Sequence, residues 1–140
     1  MMFRKGISVY VEGQTFMGGG GFESDASRGE DYGHISAVDI NTGEVKWRYM
    51  DANQVRAGVV STAGGVVISG SRTGKIFGLN AETGEELWTF NAGGGIRSQP
   101  IVYQQNGETY LAVGSGDRAS TSAVPMGGRL FVFKLRQGQF

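Results

Sequence analysis

Residues Gly33 to Trp47, GHISAVDINTGEVKW, recur in one register as Gly74 to Trp88, GKIFGLNAETGEELW. Glycine, turn and tryptophan are each displaced by 41 residues, so a whole structural unit repeats. Each copy reads as a hairpin. Alternating small apolar residues (Ile35, Ala37, Val38; Ile76, Gly78, Leu79) lead into Asn41-Thr42-Gly43-Glu44 or Glu82-Thr83-Gly84-Glu85, then into a second short strand ending in Trp. Gly43 and Gly84 supply the positive φ of such a turn, and Asp39 or Asn80 and the threonine hydroxyl bond nearby backbone N–H groups.

A plain hairpin does not explain why Trp47 and Trp88 sit four residues past the turn glycine in both copies. A Trp side chain carries about 150–250 Å² of surface, and burying it contributes on the order of 4–6 kcal/mol as an upper bound. Each Trp is therefore expected to pack against the neighbouring repeat, so that the repeats stack side by side.

Of 140 residues 25 are glycine, only 2 are proline and none is cysteine. So much glycine, scattered through apolar alternation, predicts short strands and tight turns in an all-β protein. Lys plus Arg and Asp plus Glu are both 13, which gives no global field to draw the chain onto nucleic acid or an anionic membrane. The start, MMFRKGISVYVEG, has no apolar core of signal-peptide length, and no apolar run approaches a membrane span. Without cysteine there is no disulfide or thiolate chemistry, and the compartment stays open.

In chain order, ISVYV at 7–11 reads as one strand and Glu12 to Tyr32 as a polar, glycine-rich connection. After the first hairpin, strands A (57–62), B (66–70), C (74–80) and D (85–90) form a four-stranded meander the size of a propeller blade. The next set follows: strand A at 98–103, strand B at 109–114 after the Asn106-Gly107 turn, and strand C at 128–135, with an enlarged loop at 115–127 and no strand D. The expected organisation is a lead segment with the first docking hairpin (1–50), a complete blade (51–90) and a last blade lacking its outer strand (91–140), about two and a half blades in all. Antiparallel order gathers the D–A and B–C loops, with Arg56 and Arg97, at one end and the Thr-Gly turns at the other. Function is expected at the long-loop end.

Ala37-Val38-Asp39-Ile40-Asn41-Thr42-Gly43-Glu44-Val45-Lys46-Trp47 matches the tryptophan-docking pattern A-x-D-x-x-T-G-x-x-x-W of quinoprotein propellers. The second copy keeps Thr83, Gly84 and Trp88, with Gly78 and Asn80 in place of Ala and Asp. Flanking segments follow in order: STAGGVV at 61–67, Pro-x-Val-Tyr from 100, Asn-Gly-x-x-Tyr-x-Ala-Val at 106–113 and Gly-Gly-Arg-Leu at 127–130. This succession resembles the C-terminal part of pyrroloquinoline-quinone (PQQ)-dependent alcohol dehydrogenases. The resemblance implies an eight-bladed periplasmic propeller that holds PQQ and calcium or a lanthanide on its axis. It implies hydride transfer from a small alcohol to the quinone, with an aspartate base and the metal as Lewis acid. It also implies that the metal ligands and the catalytic aspartate come from other blades, so that this chain alone binds no cofactor tightly, is inactive and needs the remaining blades as partners. Those blades come from an upstream polypeptide or from self-association. A noncatalytic scaffold propeller of the outer-membrane assembly type is the alternative.

One family cofactor contact falls inside the matched region, the loop entering a strand A. It reads Arg56-Ala57-Gly58 here, with arginine where the family commonly has tryptophan. Arginine there either pairs with a quinone carboxylate or is an ordinary surface charge. Glu23, Asp25, Glu30 and Asp31 read as a solvated loop, since their spacing matches no metal loop. The lone His34 reads as a strand residue, Asp117-Arg118 as a local ion pair, and Ser120, Thr121 and Ser122 have no base placed to activate them.

Overall fold

A computed structural model describes residues 2–3, 9–13, 22–23, 33–116 and 128–135. The chain divides into two compact units, Met1–Glu30 and Asp31–Phe140. In the first, β1 (Met2–Phe3) pairs antiparallel with β2 (Phe22–Glu23). Val9, Tyr10 and Val11 are exposed and not in a strand, so the strand expected over 7–11 is not formed there; Ile7 and Ser8 lie outside the described residues.

The second unit is all β among its described residues. A hairpin of β3 (Gly33–Val38) and β4 (Val45–Asp51) comes first. A four-stranded antiparallel sheet follows in chain order: β5 (Val60–Ser61), β6 (Val66–Gly70), β7 (Lys75–Asn80) and β8 (Glu86–Asn91). The last sheet is β9 (Ile101–Gln105), β10 (Glu108–Ser115) and β11 (Arg129–Leu135), in the order β11-β10-β9. These sheets are successive blades of a partial β-propeller.

Both A strands are shorter than the pattern predicts, for local reasons. At Gly58 the ladder is replaced by a side chain, Ser69 Oγ donating to Gly58 O at 3.1 Å. Before β9, Pro100 has no N–H to offer, and Ser98 Oγ donates to Gly114 O at 2.8 Å in place of a backbone group.

The cores lie between the sheets. Ile35, Phe77 and Leu79 are buried between the first and middle blades, with Trp47, Tyr49, Val55 and Val67 packed on them. Val66, Ile68, Ile76, Ile96, Leu111 and Val113 are buried between the middle and last blades, with Trp88, Phe131 and Phe133 against them. Strand β7 serves both. Successive side chains point to opposite faces, so Ile76 enters one cluster and Phe77 and Leu79 the other. This is why β7 is buried on both faces although the protein is built from meanders.

The two Thr-Gly turns share one hydrogen-bond scheme. Gly43 N donates to Asp39 O and Gly84 N to Asn80 O, both at 2.8 Å. Asp39 Oδ1 accepts from the N–H groups of Asn41 and Thr42, and Asn80 Oδ1 from those of Glu82 and Thr83. Thr42 and Thr83 hydroxyls accept from Glu44 N and Glu85 N. Only an acceptor oxygen is needed at the head of the turn, so Asn80 replaces Asp39 without changing it. Gly43 and Gly84 hold φ of 75° and 76°.

Trp47 reaches from the first blade into the second copy's turn. Its Nε1 donates to Ala81 O at 2.9 Å, and its ring lies so close over Gly84 that a Cβ there would stand 2.7 Å from it. Trp88 lies across its own blade at Gly78, where a Cβ would stand 2.2 Å from Nε1. It meets Phe133 of the last blade with ring centroids 6.1 Å apart. The glycine at 78, where the first copy has Ala37, follows from that close cover.

Candidate functional site

Backbone bonds sort the connections into two ends. At one, Ala81 N donates to Gly65 O, joining a C–D turn to an A–B turn. At the other, Arg72 N donates to Gln54 O, Ile96 N to Ser71 O, Ala92 N to Gly74 O and Gly116 N to Gly95 O. The D–A connections 52–59 and 92–100, the B–C turn 71–74 and the end of β10 thus form one loop end, opposite the Thr-Gly turns.

Arg56 sits at this end, partly exposed, just after Val55, which bridges to Ser71. Its neighbours point elsewhere. Ala57 packs against the core between the middle and last blades, and its N–H donates to Gly70 O at 3.4 Å. At Gly58 a Cβ would stand 1.7 Å from Gln99 Oε1, and Gln99 Nε2 donates to Val59 O at 2.8 Å. The room that a glycine leaves at 58 is therefore filled by a side chain from the next strand-A entrance. Of the three expected cofactor contacts only Arg56 carries a charged donor. Among the described residues no three His, Cys, Asp or Glu side chains come together as metal ligands.

Two other arginines share this end and escaped the sequence reading as a group. Arg72, in the B–C turn, has its Nε buried without a hydrogen-bond partner among the described residues. Arg129 opens β11 opposite Ser115. Arg97 is exposed and has contacts within the protein. His34 is an exposed β3 residue opposite Met50 that also keeps a partner. Glu23 has its backbone in β2, while Asp25, Glu30, Asp31, Asp117, Arg118, Ser120, Thr121 and Ser122 lie outside the described residues.

A polar cluster also clamps the first blade to the middle one. Lys75 Nζ lies 2.7 Å from Glu86 Oε2, 2.8 Å from Tyr49 OH and 3.5 Å from Asp51 Oδ2. Tyr49 OH donates to Glu86, and the ammonium stands 5.6 Å from the ring centroids of Tyr49 and Phe77. Burial by itself pushes Lys75 down and Glu86 up. Their mutual bond, with Tyr49 bonded to both, overrides it, so the ammonium is held above its ordinary range and the carboxyl below its own. Burial, then the bond to Glu86, raises the Tyr49 phenol. Asp51 is buried, and its Oδ1 caps Asn53 N at 2.8 Å, which fixes the start of the connection that carries Arg56. Position 34 in the first copy is His and position 45 is Val where the second has Lys75 and Glu86, so the repeat itself gave no signal of this cluster.

Comparison with known proteins agrees with the blade architecture. The sequence family described as outer membrane protein assembly factor BamB, a PQQ-type repeat family, matches residues 31–124. A quinoprotein ethanol dehydrogenase of Pseudomonas putida is 36% identical over 137 residues, covering 90% of this chain and 22% of that protein. The quinohemoprotein alcohol dehydrogenase of Comamonas testosteroni superposes with a TM-score of 0.65 at 27% identity, over 74% of this chain and 16% of that one. A europium-containing methanol dehydrogenase gives 0.68 at 25% identity, over 77% and 24%. The chain spans about a fifth of the length of the curated dehydrogenases it matches. Stacked blades and matched sequence together show that the chain belongs to the quinoprotein β-propeller family and corresponds to a segment of its alcohol dehydrogenases.

Proposed function

We propose that this chain supplies the C-terminal blades of a PQQ-dependent alcohol dehydrogenase. The observation that carries this reading is the 36% identity to a quinoprotein ethanol dehydrogenase sustained over 90% of the chain. In such an enzyme the bound quinone, polarised by calcium or a lanthanide, accepts hydride from a small alcohol. The catalytic aspartate and metal ligands belong to blades outside this segment, so the chain's own part is architectural. Asp39, Thr42, Gly43 and Trp47, with Asn80, Thr83, Gly84 and Trp88, act as rivets that hold blade to blade. Arg56 faces the loop end and offers a guanidinium to a quinone carboxylate.

The remaining blades are the expected partners. Pairing register puts Leu130 at the place in the last blade that Ile76 holds in the middle one, and Ile101 at that of Val60. Ile76 is 0% exposed under the last blade, whereas Leu130 is 71% exposed and Ile101 55%. The face that a further blade covers in the middle sheet is thus apolar and open in the last. A periplasmic location goes with this reading. Among the described residues no helix is long and apolar enough to cross a membrane.

The match to the family described as BamB supports a second reading, a noncatalytic scaffold. Titration of the complete ring with PQQ and calcium or a lanthanide, followed by alcohol-dependent reduction of a dye acceptor, separates them. The dehydrogenase reading expects saturable quinone binding, weakened in R56Q, and turnover. Absence of saturable quinone binding by the complete ring would sink it.

A further inference from the structure

We propose that Asp51 is a positioning residue that ties the two D–A connections of the loop end, 52–59 and 92–100, into one cooperative unit anchored at the seam between the first and middle blades. The inference holds whether the complete ring is a dehydrogenase or a scaffold.

A buried carboxylate is costly unless it is paired and bonded, and Asp51 is 6% exposed. Its two oxygens are engaged on different sides. Oδ1 accepts from Asn53 N at 2.8 Å, at the head of the first connection. Oδ2 lies 3.5 Å from Lys75 Nζ, on β7 of the middle blade. The backbone then closes a circuit. Lys75 O accepts from Ser71 N at 2.8 Å, Arg72 N donates to Gln54 O at 2.8 Å, and Val55 bridges to Ser71. Asp51 thus holds the B–C turn from two directions, through Lys75 and through residues 53–55.

Ser71 passes the tie to the second connection. It is fully buried, and its carbonyl accepts from Ile96 N at 3.0 Å. Ile96 is itself packed on Gly70, where an added Cβ would stand 2.8 Å from the Ile96 Cβ. The first connection lies as close on the strand pair that ends in Asp51. Gly33 pairs with Asp51, and a Cβ on it would stand 2.3 Å from Val55 N and 2.6 Å from Asn53 O. Segments packed this closely transmit displacement to one another.

The repeat separates the carboxylate from the packing. In the second copy Gly74 lies under the next connection in the same way, with an added Cβ 2.8 Å from Gly94 O, yet Ala92 stands where the first copy has Asp51. There Ala92 N donates to Gly74 O, and Asn91 Oδ1 caps Gly93 N. Glycine is enough to close a connection onto its hairpin. Asp51 adds what Ala92 cannot, a charged link to the neighbouring blade.

Amide hydrogen exchange of the 140-residue chain, followed residue by residue by NMR, tests this. Local opening of a cooperative unit exposes its amides together. In Asp51→Ala the amides of Asn53, Ser71, Arg72 and Ile96 are expected to exchange faster by a common factor of about ten, since bonds to charged groups are the strong ones, and to exceed any change in the β9–β10 hairpin. Lys75→Met should accelerate the same four by a smaller factor. Asp51→Asn keeps an oxygen for Asn53 N–H and removes the charge beside Lys75, so it should fall between the parent and Asp51→Ala. With Lys75→Met it carries the test if Asp51→Ala does not fold. Acceleration confined to Asn53, or one that stops short of Ile96, overturns the coupling. Equal acceleration in the β9–β10 hairpin, or no change in any variant, overturns it as well.

Discussion

The pair of substitutions Gly43→Ala and Gly84→Ala isolates the energy of one inter-blade contact. Both glycines close the same Asx-headed turn, with φ of 75° and 76°, so the cost of forcing alanine into the left-handed region is common to both, about 1–2 kcal/mol. Surroundings differ. Nothing lies within 4 Å of a Cβ at 43, while a Cβ at 84 stands 2.7 Å from the Trp47 ring. Carbon atoms settle about 3.5–4.0 Å apart, so the indole must retreat by about 1 Å. That displaces well-packed aromatic surface, costing about 1–3 kcal/mol, and lengthens the Nε1 bond to Ala81 O. Urea unfolding followed by circular dichroism should therefore show Gly84→Ala destabilised by about 1–3 kcal/mol more than Gly43→Ala. In a Trp47→Ala background the excess should disappear, as a double-mutant cycle requires of a contact. A difference below about 0.5 kcal/mol in the parent, within the scatter of independent surface changes, would refute the claim that Trp47 locks the blades together.

Three further outcomes follow from the same geometry. Lys75→Met strands the buried Asp51 beside Tyr49 and Glu86 and should cost about 1–3 kcal/mol, less than a fully buried pair because the ammonium is partly solvated. Glu86 titrates below its ordinary range when folded, so its contribution is complete above the unfolded value and fades as pH falls through the folded one; acid unfolding of Lys75→Met should begin at higher pH. Asp39, depressed by the Asn41 N–H, then Lys46, then the Thr42 N–H, follows the same sign: Asp39→Asn should keep the turn and remove its acid dependence, while Asp39→Ala should lower the urea midpoint. Gly58→Ala must expel Gln99 and lose its bond to Val59 O, at about 1 kcal/mol for the bond plus the strain of the displaced backbone; Gln99→Ala added to it should recover stability, measured by thermal unfolding.

Periodicity made the architecture readable. The 41-residue displacement of Gly33 and Trp47 onto Gly74 and Trp88 located two hairpins to within a residue or two, because turn glycines and alternation are local signals. The A strands were over-extended, because whether a ladder continues at Gly58 or Ser98 depends on serine side chains from another strand. Arg56, Ala57 and Gly58 read as one contact in sequence, yet they part in space: Arg56 lies in a connection at the loop end, Ala57 packs on the core, and the space beside Gly58 is filled by Gln99.

By itself the sequence determined what local chemistry controls: an all-β chain, the Asx and Thr-Gly turns, the blade period, and the oxygen acceptor that Asp39 and Asn80 share. Only the tertiary structure decided which surfaces meet. The Lys75 clamp joins Tyr49 and Asp51 to Glu86 across two blades, and at the loop end Gly95, Arg97 and Ser98 come beside residues 114–116 and 128–130. Such sites arise where the copies differ and where distant segments converge, and neither a repeat nor a spacing records which side chains long-range packing brings within bonding distance.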